Sequence, residues 1–240
     1  MGLFREPLQK ILSLRDRVRA GGKVREFDYN RSAAWPEKKS LVLQEDTLVE
    51  LGSSSGSLFL ILWTGKSGAL LQPGRISLVG PDVSEIGEKT IPFIQIVLVQ
   101  GEFEDEYETY RELRDLIYDT RPEGISTRIW PDRQRIWCRI SREAVAQGFS
   151  LIRYGNTLIK NLNRLKGVGG AEILFITEAM EEQEELRLTA GKVREVVEAL
   201  IKMYEEMNFD CSDCEYNEVC AEVTTLRDIR ERLRKERRLQ

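Results

Sequence analysis

Three of the chain's four cysteines fall close together, where Cys211, Cys214 and Cys220 follow a C-x2-C-x5-C spacing. A two-residue gap lets a tight turn aim two thiolates at one metal centre, so the pattern points to a metal or iron–sulfur site. A C-x2-C pair also suits zinc or a dithiol redox centre, and three reduced, partly buried thiols in a helix–helix loop would need no metal at all. No histidine occurs in the 240 residues, which leaves Cys138, a nearby carboxylate, a small molecule or a partner protein as a fourth ligand. The same absence excludes histidine-based acid–base catalysis and Ser-His or Cys-His nucleophiles within this chain. Asp210, Asp213, Glu215 and Glu218 surround the thiols with negative charge, the wrong field for an activated thiolate.

A second chemistry lies in residues 125–140, where Arg128, Arg133, Arg135 and Arg139 interleave with Trp130 and Trp137. Guanidinium groups make forked contacts with phosphate and an indole can stack on adenine, so these residues could hold an anionic ligand such as coenzyme A. The plainer alternative is an amphipathic sheet face with exposed arginines and buried tryptophans. Cys138 alternates with Trp137 and Arg139 on a strand and reads as a buried structural thiol. The Gly-Ser run at 52–56 lacks the G-x-x-x-x-G-K-[ST] pattern and precedes a strand, so it reads as a turn. The acidic run at 181–185 reads as a solvated helix start.

These residues must be positioned by a chain that is 41% apolar and 32% charged, the balance of a soluble globular protein. Its net charge of -4 gives no global case for nucleic acid. Clustered cysteines suit ligands in a reducing cytoplasm and not a secreted disulfide framework. No stretch approaches the ~20 apolar residues of a membrane span. Residues 4–20 carry apolar positions on one helical face and end at Gly21-Gly22, and 23–40 read as a connecting arm. Strands are expected at 41–43, 47–51, 57–63, 75–79 and 91–99, the last so continuously apolar that it should be central in its sheet. A helix at 102–120, strands at 125–130 and 134–140, helices near 141 and over 151–165, a strand at 172–177 and a long helix at 178–207 follow. The last helix, 224–239, is rich in arginine, and the cysteines would sit at a fixed corner between long helices. The division is an N-terminal helix and arm at 1–40, an α+β domain at 41–178, and a helical extension with the cysteine motif at 179–240.

Several stretches together resemble one family. Gly74-Arg-Ile-Ser-Leu-Val-Gly-Pro-Asp82 is similar to the V-x-G-P-D strand and turn of the beta subunit of the CO dehydrogenase/acetyl-CoA synthase complex. Arg135-Ile-Trp-Cys-Arg-Ile-Ser-Arg-Glu-Ala-Val-Ala-Gln-Gly-Phe149 looks like that family's I-N-W-x-R-I-S-K-D-A-x-A-K-G-F segment, and the coverage runs from about 48 to 220. The resemblance implies an α+β domain, ferredoxin-like, with a mixed sheet, covering helices and the start of a region that holds a nickel and iron–sulfur cluster. It implies that Cys211 and Cys214 match the first cluster pair and that Trp137 matches a tryptophan which, with neighbouring arginines, is implicated in coenzyme A binding. The complete family enzyme joins a methyl group, CO and coenzyme A at nickel.

The departures change the expectation. The family's third cluster cysteine lies eight residues after the second, whereas Cys220 lies six positions beyond Cys214, with five residues between them, and the Cys-Gly-Cys for the distal nickel has no counterpart. Shared ancestry and fold are therefore implied more strongly than shared catalysis. The expected protein carries an iron–sulfur cluster, 4Fe-4S or zinc in its place, on Cys211, Cys214 and Cys220. It serves as an accessory or electron-transfer subunit beside other subunits of an anaerobic redox or one-carbon complex, and is not catalytic alone. Two alternatives stand beside it. One is a coenzyme A or acyl-CoA module on Arg128, Arg135, Trp137 and Arg139; the other is a split synthase borrowing its nickel ligands from a partner chain.

Overall fold

Three runs of Leu, Ile, Val and Phe form the middle of the molecule in the computed structural model, which describes residues 2–52, 56–65, 72–86, 90–130, 133–205 and 214–238. They are β3 (Ser57–Thr64), β6 (Phe93–Gly101) and β9 (Val168–Ile176), each buried along nearly its whole length, as strands covered on both faces must be. With β4 (Arg75–Val79) and β1 (Val24–Asp28) they make a five-stranded mixed sheet in the order β1-β4-β9-β6-β3. The β4–β9 and β3–β6 pairs are parallel, the other two antiparallel. A smaller mixed sheet has the order β5-β2-β8-β7, from β5 (Thr90–Ile91), β2 (Thr47–Leu51), β8 (Arg135–Ser141) and β7 (Ile125–Trp130). The chain is thus α+β with mixed sheets and covering helices, as expected, and its strands divide between two sheets.

Three expectations need correction. The arm at 23–40 contains β1, whose Arg25, Glu26 and Asp28 give it the charged look of a loop because it is an edge strand. Residues 41–43 form no strand: only Val42 is buried, its amide donating to Ser126 Oγ at 2.7 Å, while Leu41 and Leu43 are exposed. The apolar run at 91–99 breaks at Pro92, which has no N–H for a ladder. Ile91 ends β5 of the small sheet and Phe93 starts β6 of the large one.

Among the described residues, the sheets join where β3, an edge of the large sheet, meets the start of β8. The Phe59 amide donates to the Gln134 carbonyl at 2.9 Å, and the Ile136 amide donates to Ser57 Oγ at 2.8 Å. That hydroxyl in turn donates to the Ile136 carbonyl. Gly52 approaches the same peptide at a φ of +83°, and a Cβ there would lie 2.3 Å from the Ile136 oxygen. Only glycine fits.

Helices close the faces. α5 (Leu151–Leu162) covers the face carrying Phe175, with Tyr154 stacked on that ring at 5.9 Å. α1 (Arg5–Ala20) reaches Glu172, which by strand alternation points to the other face. Arg15 is buried there and its Nη1 donates to both Glu172 oxygens at 3.0 Å. The V-x-G-P-D stretch precedes a single turn, α2 (Val83–Ile86), and splices three elements. Asp82 Oδ1 accepts from the Val83 amide at 2.7 Å and from the Leu151 amide at 2.9 Å, capping α5, while Thr177 Oγ1 donates to the Pro81 carbonyl at 2.7 Å. α3 (Glu106–Asp119) starts at Asp105, α4 (Arg142–Ala146) at Ser141 and α5 at Ser150, each a side-chain N-cap. α6 (Gln183–Glu205), α7 (Asn217–Glu222) and α8 (Thr224–Arg238) complete the molecule. One hydrophobic cluster runs from Leu3 to Ile229.

Candidate functional site

Strand alternation sorts β8 into two faces. Ile136, Cys138 and Ile140 are buried, while Arg135, Trp137 and Arg139 face outward. On β7, Ile125 and Ile129 are buried, and Arg128 and Trp130 are exposed. The antiparallel register sets Arg128 opposite Trp137 and Trp130 opposite Arg135, a chequered pair of guanidiniums and indoles. Arg128, Trp130, Arg135 and Trp137 line one cavity of about 300 Å³, together with Gly52, Ser57 and Ile136. Three of the four candidate ligand-binding residues, Arg128, Arg135 and Trp137, are therefore brought together.

The fourth candidate, Arg139, is turned to another task. Its Nε lies 3.3 Å from Glu50 Oε2, and Trp137 Nε1 donates to Glu50 Oε1 at 2.8 Å. Glu50 comes from β2, directly opposite Arg139 in the register. The Arg139 and Arg128 guanidiniums lie over the Trp137 ring, 4.8 and 5.6 Å from its centroid. Arg128 and Arg135 have no ion-pair partner among the described residues. Two unneutralised guanidiniums at the wall of a cavity attract anions, and each can fork two N–H groups onto a phosphate. Glu50, Gly52 and Ser57 belong to this site although only the sheet pairing, and no motif, connects them to it.

Cys138 is buried with its thiol 3.7 Å from Thr127 Oγ1, and burial pushes its pKa up to about 12, against that hydrogen bond. It is a core thiol. Cys211 lies outside the described residues. Cys214 is half-buried and its carbonyl accepts from the Asn217 amide at 3.1 Å, which opens α7. Cys220 is buried within α7, in the hydrophobic cluster. α6 holds this corner from the other side: Lys202 reaches Glu215 at 3.3 Å and lies over the Tyr216 ring. Among the described residues no three His, Cys, Asp or Glu side chains converge as a metal-binding group, so a three-thiolate site there depends on Cys211. No helix among them is long and apolar enough to cross a membrane.

Comparison with known proteins points the same way as the residues. Residues 34–181 match the family model of the CO dehydrogenase/acetyl-CoA synthase complex beta subunit. The carbon monoxide dehydrogenase/acetyl-CoA synthase subunit alpha of Moorella thermoacetica is 26% identical over 156 residues, which cover 62% of this chain and 21% of that protein. The chain thus matches about a fifth of that relative's length.

Proposed function

This chain belongs to the CO dehydrogenase/acetyl-CoA synthase complex beta subunit family, and from that premise we propose that it is a cytoplasmic, coenzyme A-binding accessory subunit of an anaerobic one-carbon complex. The observation that carries the reading is the convergence of Arg128, Trp130, Arg135 and Trp137 on one cavity of about 300 Å³. That is the small end of the range for ligand pockets, enough for the nucleotide head of coenzyme A with its pantetheine arm outside. The ligand carries phosphates for the guanidiniums and a purine for an indole. Calorimetry tests it. Coenzyme A is expected to bind and Arg128→Gln/Arg135→Gln to lose most of the affinity, with binding weakening as salt rises. No heat at millimolar coenzyme A would remove the reading.

A second reading concerns the cysteine corner, which α6 and α7 pin beside Cys214 and Cys220. With Cys211 it supplies three thiolates for a 4Fe-4S cluster whose fourth position is open or taken by a partner subunit, or for zinc. The C-x2-C-x5-C spacing departs from the family's, which favours electron transfer or a structural role over nickel chemistry. Anaerobic purification with iron, sulfide, zinc and nickel analysis decides it. About four irons and four sulfides per chain are expected of the cluster, and one zinc without sulfide of the structural corner.

A further inference from the structure

We infer that the core between the large sheet and α5 binds one internal water molecule, held by the Gln95 side-chain amide and the Tyr154 hydroxyl. The site is separate from the arginine–tryptophan face and does not depend on the ligand proposed there.

Within β6 the run Phe93-Ile-Gln-Ile-Val-Leu-Val99 is apolar except for Gln95, which is 0% exposed. Its register partners are Phe59 on β3 and Phe175 on β9, and its neighbours on the same face of β6 are Phe93 and Val97. None of these four side chains can donate or accept a hydrogen bond. Tyr154 of α5, 3% exposed, stacks on Phe175 and so comes down on the face that carries Gln95. Burial pushes the Tyr154 pKa up, the neighbouring Cys138 adds to the rise, and Gln95 is close enough to oppose it. Yet Gln95 Oε1, Gln95 Nε2 and the Tyr154 hydroxyl are all buried without a hydrogen bond to one another or to any other described residue. The Cys138 thiol is turned to Thr127 instead, at 3.7 Å. Native cores satisfy buried amides and hydroxyls, because leaving them unpaired is costly. Gln95 offers an amino group and a carbonyl oxygen and Tyr154 a hydroxyl, which matches the roughly three bonds that an internal water makes. No charged side chain is among the four around the amide, so the occupant is neutral; an ion there would be buried without a counter-charge. Shared between β6 and α5, such a water fixes how the helix sits on the sheet, which apolar contacts alone specify less sharply.

A crystal structure of the full chain and oxygen-17 water relaxation dispersion in solution test the site together. The crystal is expected to show a water peak within about 3.2 Å of the Tyr154 hydroxyl and of one Gln95 amide atom. In solution, the signal of long-lived internal water is expected in the wild type and reduced in Gln95→Leu/Tyr154→Phe. That double variant removes both partners, so it strands no polar group and keeps the fold, which circular dichroism confirms. A direct hydrogen bond between Gln95 and Tyr154 with no water peak beside them overturns the inference. So does a long-lived water signal that is unchanged in the folded double variant.

Discussion

At the scale of single residues, two buried-edge aspartates respond to acid in opposite senses. At Asp105, burial pushes the pKa up, but the Tyr204 hydroxyl, the Glu108 and Tyr107 amides and the Arg232 guanidinium outweigh it, and the folded value lies below the ordinary 3.8. A carboxyl held low in the folded state adds stability above its unfolded pKa and loses it as pH falls through the folded one. At Asp82, burial wins over the Leu151 and Val83 amides and the folded value is raised, so its contribution grows as pH falls through that value. Asp105 also ties three helices together, capping α3 while it accepts from Tyr204 of α6 at 2.7 Å and Arg232 of α8 at 3.1 Å. Asp105→Ala should cost about 1–2 kcal/mol at neutral pH. It should also flatten the acid limb of stability, which urea midpoints between pH 3 and 7 would show. An unchanged acid limb would place the acid response elsewhere.

At the scale of elements, what the sequence made legible was what alternation or capping encodes. The alternation of β8 around a buried Cys138 and the glycine stop of α1 could both be read directly. What escaped were pairings between distant segments. β1 has the charged pattern of a loop because an edge strand is charged, and Glu50 joins the site only because β2 pairs with β8. Arg15 is one of several charges on α1, yet it is buried against Glu172, which also accepts from the Gln72 amide at 3.0 Å. Arg15→Met leaves that carboxylate buried without its counter-charge and should destabilise by roughly 3–5 kcal/mol, while Arg15→Met/Glu172→Met recovers most of the loss. Equal losses in the single and double variants would mean that the clasp acts through packing and not through charge.

At the scale of the whole molecule, the core draws on the first helix, both sheets and the last helix, from Leu3 and Phe4 through Phe93 and Phe175 to Leu226 and Ile229. The division at 1–40, 41–178 and 179–240 follows changes in sequence texture, and the charge on a helix or edge strand says little about what its inner face covers. Urea unfolding followed by tryptophan emission and by helical circular dichroism should therefore coincide in one transition. Separate midpoints would show that the C-terminal helices unfold on their own.

The register of the β7–β8 pair has an evolutionary corollary. One face of β8 supplies Ile136, Cys138 and Ile140 to the core, and the other supplies Arg135 and Trp137 to the cavity. Inserting or deleting a single residue within β8 exchanges the two faces, because side chains alternate with a period of two. Drift in the length of this strand cannot alter the cavity face while sparing the fold. Descendants that stay folded inherit the parity, and the cavity face can change there only by substitution.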